Sequence, residues 1–352
     1  MGLFDNLLRD RNTRKAQEQA ADSQDQPSSE LVQDQAPSEA LEAEKNVDNL
    51  VQEEDVPDLS DAVQEAQKAQ EANPVEDSAS FKPIKKYDQK DRVTHVVGET
   101  RVVAIINQKG GVGKSTTAVN LSAALGEQGK QVLLVDLDPQ GNASSGLGIE
   151  KSRLDYCIYD ALLNDEPLEN IIVPDVCQGL DLVPATINLA GAEVELVSEM
   201  ARENRLKDAI GRFRGKYDYI FIDCPPSLGL LTVNAFVAAD KLLIPIQCEF
   251  YALEGVTKLL DSMKRVKTRL NPSLDIFGVL LTMYDGRTIL SKQVAQEVQG
   301  FFGDKAFQTI IPRTVKLSEA PSFGQPITQF DPAGKGAESY VKLAKEVIAR
   351  GW

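Results

Sequence analysis

The residues of this sequence best suited to chemistry lie in a glycine-rich stretch with two lysines, Gln108-Lys109-Gly110-Gly111-Val112-Gly113-Lys114-Ser115-Thr116. Its three glycines let the backbone turn several N–H groups toward one anion. Lys114 brings a positive charge to the outer phosphates of a nucleotide, and the Ser115 hydroxyl suits Mg²⁺. A helix starting here would direct its positive end at the same oxygens. The stretch therefore predicts an ATP and Mg²⁺ site with contacts from residues 109–116.

The surrounding pattern is the one that such a loop requires, because an apolar run precedes it and a helical pattern follows. From Arg101 onward, apolar segments alternate with helical ones. We expect strands at 102–107, 132–136, 180–183, 219–223, 242–247, 276–282 and 309–311, a helix from about Lys114, and a last helix over about 337–349. Val/Ile/Leu-rich strands separated by helices predict an α/β fold with a mostly parallel, twisted central sheet covered by helices on both faces. Ligands bind such sheets at the carboxyl ends of the strands, where the loop lies.

Acidic residues follow two of the predicted strands. Asp136 and Asp138 end the second strand, and Asp223 ends the apolar run Tyr219–Asp223. In this Walker B arrangement, Asp223 would accept from a Mg²⁺-bound water or from Ser115 and complete the metal site. Asp138 precedes a proline, so a simple turn-forming role is the alternative. Pro225 and Pro226 then lead into a helix, where a few torsions could redirect the chain as a switch.

Two features of the loop depart from the usual phosphate-loop pattern, since Gln108 replaces its first glycine and Lys109 is additional. In both respects the loop resembles the deviant Walker loop of ParA/MinD-class ATPases. This resemblance implies that Lys109 contacts phosphate across a dimer interface and acts with Lys114 in catalysis. It also implies that Asp138 positions or activates the attacking water and that Asp136 lies near the metal. The nucleotide-sensing switch would be Gln140, Gly141 and Asn142.

The resemblance extends over essentially all of Arg101–Trp352. The segments that carry it are Asn107–Thr117, Val132–Gly148, 182–186, Tyr217–Gly229, Ile244–Gly255 and Thr282–Thr288. On these, the sequence is identified as a member of the ParA/Soj-type chromosome or plasmid partitioning ATPases. The family implies a slow, Mg²⁺-dependent ATP hydrolase in the cytoplasm, associated with the nucleoid. It implies an ATP-bound homodimer, binding to double-stranded DNA without sequence preference, and a ParB-like centromere-binding partner that stimulates hydrolysis.

The same resemblance indicates where DNA and adenine would bind. Arg287 and Lys316 match the basic positions of the family, and Arg313 could extend the patch. Lys292 and Lys305 are further candidates. Arg313, Lys292 and Lys305 are each also consistent with a solvated surface charge. The adenine pocket is expected near the loops after positions 282 and 311, with Pro312 as a contact.

Charge divides the chain into two unlike parts. Residues 1–80 contain 6 Lys and Arg against 20 Asp and Glu, whereas residues 101–352 contain 27 against 30. The overall acidity is therefore no argument against DNA binding by the C-terminal part. We expect a short amphipathic basic segment at 1–15, an acidic disordered tail at 16–92 and a P-loop ATPase domain at 93–352. The first segment is either a frayed terminus or a docking helix for a polar or membrane partner.

Other functions stay open at this point. A MinD-like or cargo-positioning switch would act on a membrane or protein surface, and a metabolic kinase or ligase could use the same loop. An iron–sulfur protein is a further alternative, but the four cysteines are far apart and form no CxxC pair. A single histidine argues against histidine base catalysis and histidine metal sites. With no signal peptide or long apolar segment, we expect a reduced, cytoplasmic setting.

Overall fold

A computed structural model of the protein describes residues 98–249 and 254–351. The expected segments 1–15 and 16–92 lie outside these residues, as does the expected domain start at 93. The strands are β1 (Arg101–Ile105), β2 (Val132–Asp136), β3 (Val173–Cys177), β4 (Leu180–Val183), β5 (Tyr219–Asp223), β6 (Lys241–Gln247) and β7 (Asp275–Thr282). The helices are α1 (Lys114–Glu127), α2 (Asn142–Gly146), α3 (Ile158–Leu163), α4 (Leu168–Ile171), α5 (Leu189–Glu195), α6 (Arg205–Gly211), α7 (Leu230–Ala238), α8 (Glu254–Arg269), α9 (Ile289–Phe302), α10 (Val315–Glu319), α11 (Ile327–Phe330) and α12 (Lys335–Arg350). Short 3-10 turns cover Lys151–Arg153, Leu196–Ser198, Gly303–Lys305 and Ala320–Phe323.

The strands form one seven-stranded sheet in the order β3-β4-β2-β5-β1-β6-β7. Neighbouring strands are parallel except for β3 and β4, which are antiparallel. Every residue of β2 and of β5 is buried, as expected where helices cover both faces of a parallel sheet. The predicted fold class is confirmed.

Two strand assignments differ from the sequence-based expectation. β3 was not predicted, because it contains Pro174 and a broken apolar pattern; it pairs only with β4, and an edge position tolerates proline. The strand predicted at 309–311 is wrong. Ile311 N donates to Leu281 O (2.9 Å) and Tyr284 N donates to Ile311 O (3.0 Å), so this segment only bridges the end of β7 and the loop after it.

The sheet brings the carboxyl ends of three strands together at its centre. Asp223 of β5 is in register with Asp136 of β2 on one side and with Ile105 of β1 on the other. The chain leaves β1 into the glycine-rich loop, while β2 and β5 end in the acids noted above. Strand order therefore places the loop and the carboxylates at one edge of the sheet.

The helix predicted at the end of the chain is present as α12. α12 buries Ala337, Tyr340, Leu343, Ala344 and Val347, which recur at helical spacing. It packs on α1, where the Tyr340 hydroxyl lies 3.4 Å from Thr117 Oγ1. Among the helices of residues 98–249 and 254–351, none is long and apolar enough to cross a membrane.

Candidate nucleotide-binding site

The loop between β1 and α1 turns through two glycines with left-handed backbone. Gly111 has a φ of 73° and Gly113 a φ of 88°, values that other residues rarely adopt. α1 begins directly after Gly113, so the positive end of this helix faces the loop. Gly110 has no positive φ, and a Cβ added there would meet no atom within 4 Å. The fold of the loop thus requires glycine at 111 and 113 but not at 110.

Lys114 is a buried cation inside this loop. Lys114 is only 7% exposed, and its Nζ donates to Lys109 O at 3.4 Å. Burial lowers the pKa of Lys114, while the negative charges of Asp223 and Asp138 oppose that effect. A buried ammonium at the start of α1, directly after a glycine-rich loop, is well placed to bind phosphate.

A cavity of about 490 Å³ opens beside the loop, a volume in the range of small-molecule sites. Several residues expected in the site line it: Gly110, Gly111, Gly113, Lys114, Ser115, Thr116, Asp138, Gln140, Asn142 and Pro226. Other lining residues were not predicted: Val119, Asn120, Ser145, Gly146, Met283, Ala320, Pro321 and Gln325. Pro312, the expected adenine contact, pairs with Tyr284 outside this lining, and its role stays a prediction.

Asp136 is buried at the end of β2 and holds the following turn together. Its Oδ2 accepts from Ser144 N (2.8 Å) and Ser144 Oγ (2.7 Å), and its Oδ1 accepts weakly from Asp138 N (3.3 Å). Burial raises the pKa of Asp136 to about 6 despite these hydrogen bonds. Because Oδ2 is fully used by Ser144, a metal contact by Asp136 would have to come from Oδ1. That contact stays a prediction.

Asp223 is the exceptional acid of the site. It is fully buried, and within residues 98–249 and 254–351 neither carboxylate oxygen has a hydrogen-bond partner. Burial raises the pKa of Asp223 well above its usual range, and the negative charge of Asp136 raises it further. The Ser115 hydroxyl and the Lys114 charge lie near enough to lower the pKa of Asp223, yet no hydrogen bond of standard geometry forms.

Unpaired carboxylate oxygens facing a serine hydroxyl fit Mg²⁺, which prefers oxygen ligands and at nucleotide sites takes few of them from protein. In the part of the chain that the structure describes, no group of three or more His, Cys, Asp or Glu side chains is arranged to hold a metal ion. Ser115 and Asp223 instead offer the sparse ligand set that leaves room for water and phosphate.

Asp138 shapes the turn that carries the first predicted switch. Its Oδ1 accepts from Gln140 N (3.0 Å), and Gly141 N donates to its backbone oxygen (2.8 Å). Gly141 has a φ of 59°, and a Cβ there would lie 2.8 Å from Ala185 O. Lys151 Nζ donates to Gln140 O at 2.6 Å, a tether that the sequence did not reveal. The turn-forming role of Asp138 is therefore present, and its exposure to the cavity leaves the water-orienting role as a prediction.

The second predicted switch follows β5. Pro225 is buried and Pro226 lines the cavity. The helix that follows, α7, is capped from a distance by Glu193 of α5, whose Oε2 accepts from Leu230 N at 2.9 Å. Glu193 was not predicted, since it precedes the capped helix by 37 residues.

Comparison with known proteins agrees with this geometry. The AAA domain family matches residues 100–276. The sporulation initiation inhibitor protein Soj of Bacillus subtilis is 57% identical over 251 residues, which are 71% of this chain and 99% of that protein. The chromosome partitioning protein ParA of Myxococcus xanthus is 52% identical over 264 residues, 75% of this chain and 93% of that protein.

The chain belongs to the ParA/Soj family of chromosome-partitioning ATPases. Its sheet and loop also match a solved structure of cobyrinic acid a,c-diamide synthase from Mycobacterium smegmatis with bound ATP analogue and magnesium. That match has a TM-score of 0.63 and 39% identity, and it covers 71% of this chain and 95% of the synthase.

In this ParA/Soj family member, an acid of the same chain holds the additional lysine of the loop. Lys109 Nζ forms an ion pair with Glu249 Oε1 just beyond β6, and both side chains are partly exposed. Lys109 N also donates to Asn107 Oδ1 at 3.0 Å. The sequence did not reveal Glu249, which lies 140 residues away. For Lys109 to reach the phosphate of another subunit, this pair would have to open.

Two adjoining loops carry the basic residues expected to contact DNA. Tyr284 N donates to Ile311 O and Arg313 N donates to Tyr284 O, each at 3.0 Å. These bonds place the loop that carries Arg287 beside the loop that carries Arg313, with Lys316 three residues further on, and all three side chains are exposed. Their contact with DNA stays a prediction.

Lys305 does not widen this surface. Its Nζ donates to Asp275 Oδ2 (3.0 Å) and Ile276 O (2.7 Å) at the start of β7. The basic loops follow the other end of this eight-residue strand, roughly 23 Å away along its axis. Lys292 lies in the first turn of α9, directly after the loop of Arg287, and is exposed. Its contact with DNA stays a prediction.

Proposed function

We propose that this protein is an ATP hydrolase that segregates DNA. ATP and Mg²⁺ bind at the glycine-rich loop, and the ATP-bound homodimer binds double-stranded DNA of the nucleoid without sequence preference. A ParB-like centromere-binding partner stimulates hydrolysis and releases the dimer. The observation that carries the nucleotide part is the Asp223 carboxylate, which is buried and unpaired beside Ser115 and Lys114. Membership of the ParA/Soj family supports the segregation part.

Each residue of the site has a distinct task in nucleotide binding. The N–H groups of the loop and the buried Lys114 hold the phosphates. Ser115 and Asp223 would hold Mg²⁺, which neutralises charge on the phosphate oxygens when bound. A carboxylate must lose its proton to bind a metal ion, so the raised pKa of Asp223 opposes metal binding more strongly as the pH falls.

Hydrolysis then depends mainly on orienting the attacking water and on stabilising the negative charge that develops on the phosphate. Phosphoryl transfer needs little covalent help from the protein, so fixing the attacking water is the principal task. Asp138 suits that task, because its Oδ1 is anchored to Gln140 N and the residue borders the cavity. Lys114 and, across a dimer, Lys109 add positive charge where negative charge develops.

DNA binding uses the two basic loops. Arg287, Arg313 and Lys316 are exposed side chains of the kind that contact phosphate. Such contacts release counterions, so binding is sequence-independent and falls steeply with salt. A dimer presents the surface twice, and linking two weak sites raises the overall affinity far above that of one. This gives a physical reason for DNA binding that depends on ATP.

The test is charge reversal of the basic loops. We expect Arg287→Glu with Lys316→Glu to abolish binding to a fluorescent 60-bp duplex in ATP while ATP affinity is unchanged. Lys342→Glu with Lys345→Glu is the matched control, because both lysines are exposed on α12 and the change in charge is the same. Full DNA binding by the double variant would contradict the assignment of this surface.

A membrane or protein-surface switch is the alternative function. Its expected anchor, residues 1–15, lies outside the described residues, and α12 buries its apolar face against α1. If the wild-type protein binds ATP but no DNA, anionic vesicles with and without the deletion of residues 1–15 become the deciding assay. Vesicle binding that needs this segment would favour the alternative and a polar or membrane partner for the tail.

A further inference from the structure

The basic surface of the two loops is partly neutralised by its own acids. It contains Arg287, Arg313 and Lys316, together with the carboxylates of Asp285 and Glu319. Three cations and two anions leave little net positive charge, although the surface is the one proposed to meet DNA. Each acid lies within three residues of the cation it pairs with. Local pairing of this kind has consequences for binding a polyanion.

Asp285 engages the guanidinium of Arg287 in a bidentate pair. Arg287 Nε donates to Oδ1 at 2.9 Å and the terminal nitrogen donates to Oδ2 at 2.7 Å, while Arg287 N also donates to Oδ1 at 3.0 Å. The hydrogen bonds and charge of Arg287, with a smaller contribution from the charge of Arg313, lower the pKa of Asp285 to about 2. The carboxylate of Asp285 presents to Arg287 the same fork that a phosphate would offer.

Glu319 forms a similar ion pair with Lys316. Lys316 Nζ donates to Glu319 Oε2 at 2.9 Å and lies 5.4 Å from the centre of the Phe330 ring. The helix α10 carries both residues one turn apart, so the pair is an interaction within this helix. A phosphate that contacts Lys316 has to displace or share this carboxylate.

We propose that Asp285 and Glu319 set the DNA affinity of this surface by competing with phosphate for Arg287, Arg313 and Lys316. The inference rests on the proposed function, since it assigns these acids to the DNA surface. A single protomer then binds DNA weakly, because two of its three cations are already neutralised. Two protomers together reach useful affinity. The acids thereby keep a single protomer below useful DNA affinity, so that DNA binding requires dimerisation and hence ATP.

The size of the effect follows from counterion release. Each additional phosphate neutralised steepens the salt dependence of log affinity by about 0.9, which is roughly an eightfold gain at 0.1 M salt relative to 1 M. Removing one carboxylate frees at most one such contact per protomer. We therefore expect Asp285→Asn and Glu319→Gln each to tighten DNA binding by up to roughly eightfold per protomer, with a steeper salt dependence.

The experiment compares full-length wild type, Asp285→Asn and Glu319→Gln in ATP, by anisotropy on a random 60-bp duplex over a range of salt. Asparagine can still accept from Arg287 N, so the turn is kept while the charge is lost. Asp165→Asn is the matched control, because it removes an exposed acid that pairs with Arg205 at 2.6 Å. Asp165 lies on the segment between β2 and β3, and β3 is at the sheet edge opposite β7. We expect the two variants to bind more tightly with steeper salt slopes and the control to stay within twofold of wild type. Unchanged slopes in both variants would overturn the inference.

Two further measurements separate local pairing from a general charge effect and from the proposed function. Arg287→Ala should weaken binding more in the Asp285→Asn background than in wild type; equal losses would contradict competition at Arg287. The salt concentration needed to elute each protein from phosphocellulose measures the affinity of the basic surface for phosphate in the absence of DNA. If wild type fails to bind DNA but the variants elute later, the proposed function falls and the competition stands. If the variants elute with wild type, the competition is refuted.

Discussion

The unpaired carboxylate of Asp223 leads to a prediction that separates a ligand site from ordinary core structure. Both of its oxygens are buried without a hydrogen-bond partner among the described residues. A buried polar group left in that state costs about 1–3 kcal/mol, and more when it is charged. Asp223→Asn keeps the shape but removes the charge. The amide is still a buried polar group without partners, so only the additional cost of the charge is removed. We therefore expect the variant to be more stable than wild type without nucleotide, by about 1 kcal/mol at neutral pH.

The pH dependence of that gain has a definite sign. Because burial raises the pKa of Asp223 above 3.8, the native protein binds its proton more tightly than the unfolded chain does. Wild-type stability from this group therefore falls as pH rises from about 4 toward the raised pKa. The difference between Asp223→Asn and wild type should be small at acid pH and should widen as the pH increases. At neutral pH it corresponds to a melting temperature roughly 2–4 °C higher.

Thermal unfolding followed by circular dichroism, with and without Mg²⁺-ADP, measures both properties. Wild type should gain about 3 kcal/mol at a ligand concentration 100 times its dissociation constant. The variant should lose the part of this gain that needs Mg²⁺ but keep the part given by ADP with EDTA. A variant that is less stable than wild type and still responds fully to Mg²⁺ would refute the assignment of Asp223 as the metal ligand.

Three further predictions concern the loop and its partners. Gly113→Ala forces a side chain onto a φ of 88° and should cost about 1–2 kcal/mol of unfolding free energy, whereas Gly110→Ala should be nearly neutral; equal melting temperatures would contradict this. Glu249→Gln frees Lys109 and should strengthen ATP-dependent dimerisation about twofold to fivefold, since partly exposed ion pairs contribute at most about 1 kcal/mol; sedimentation velocity with ATP checks it, and weaker dimerisation would count against the pair. Lys151→Met removes the tether of the switch turn and should speed amide hydrogen exchange there by about fivefold; unchanged exchange would show that the tether is dispensable.

Much of this fold could be predicted because its strands are buried on both faces. β2 and β5 appear in the sequence as uninterrupted apolar runs, which periodicity and length distinguish from the helices between them. β3 could not be predicted in this way, since Pro174 interrupts its pattern and only its position at the sheet edge allows it. At 309–311 an apolar pattern was present, but the chain there bonds only to the end of β7 and the loop after it instead of forming another strand.

In the site, too, residues of contiguous sequence motifs could be predicted, whereas partners from distant parts of the chain could not. The loop and the strand-end acids Asp136, Asp138 and Asp223 were predictable, because motif, strand end and helix start are contiguous in sequence. Partners supplied by other elements were not: Glu249 reaches Lys109 across 140 residues. Lys305 was misplaced for a related reason, since nearness in sequence does not tell which end of β7 a side chain faces.

The central claim, a nucleotide-gated dimer acting on DNA, is tested most directly by equilibrium binding of the full-length protein to an unrelated duplex. The comparison is ADP, ATP, and ATP with Lys109→Ala, each at two salt concentrations. We expect binding that requires ATP, weakens as salt rises and disappears in the variant while ATP affinity is retained. Equal binding in ADP and ATP, or full binding by Lys109→Ala, would contradict it.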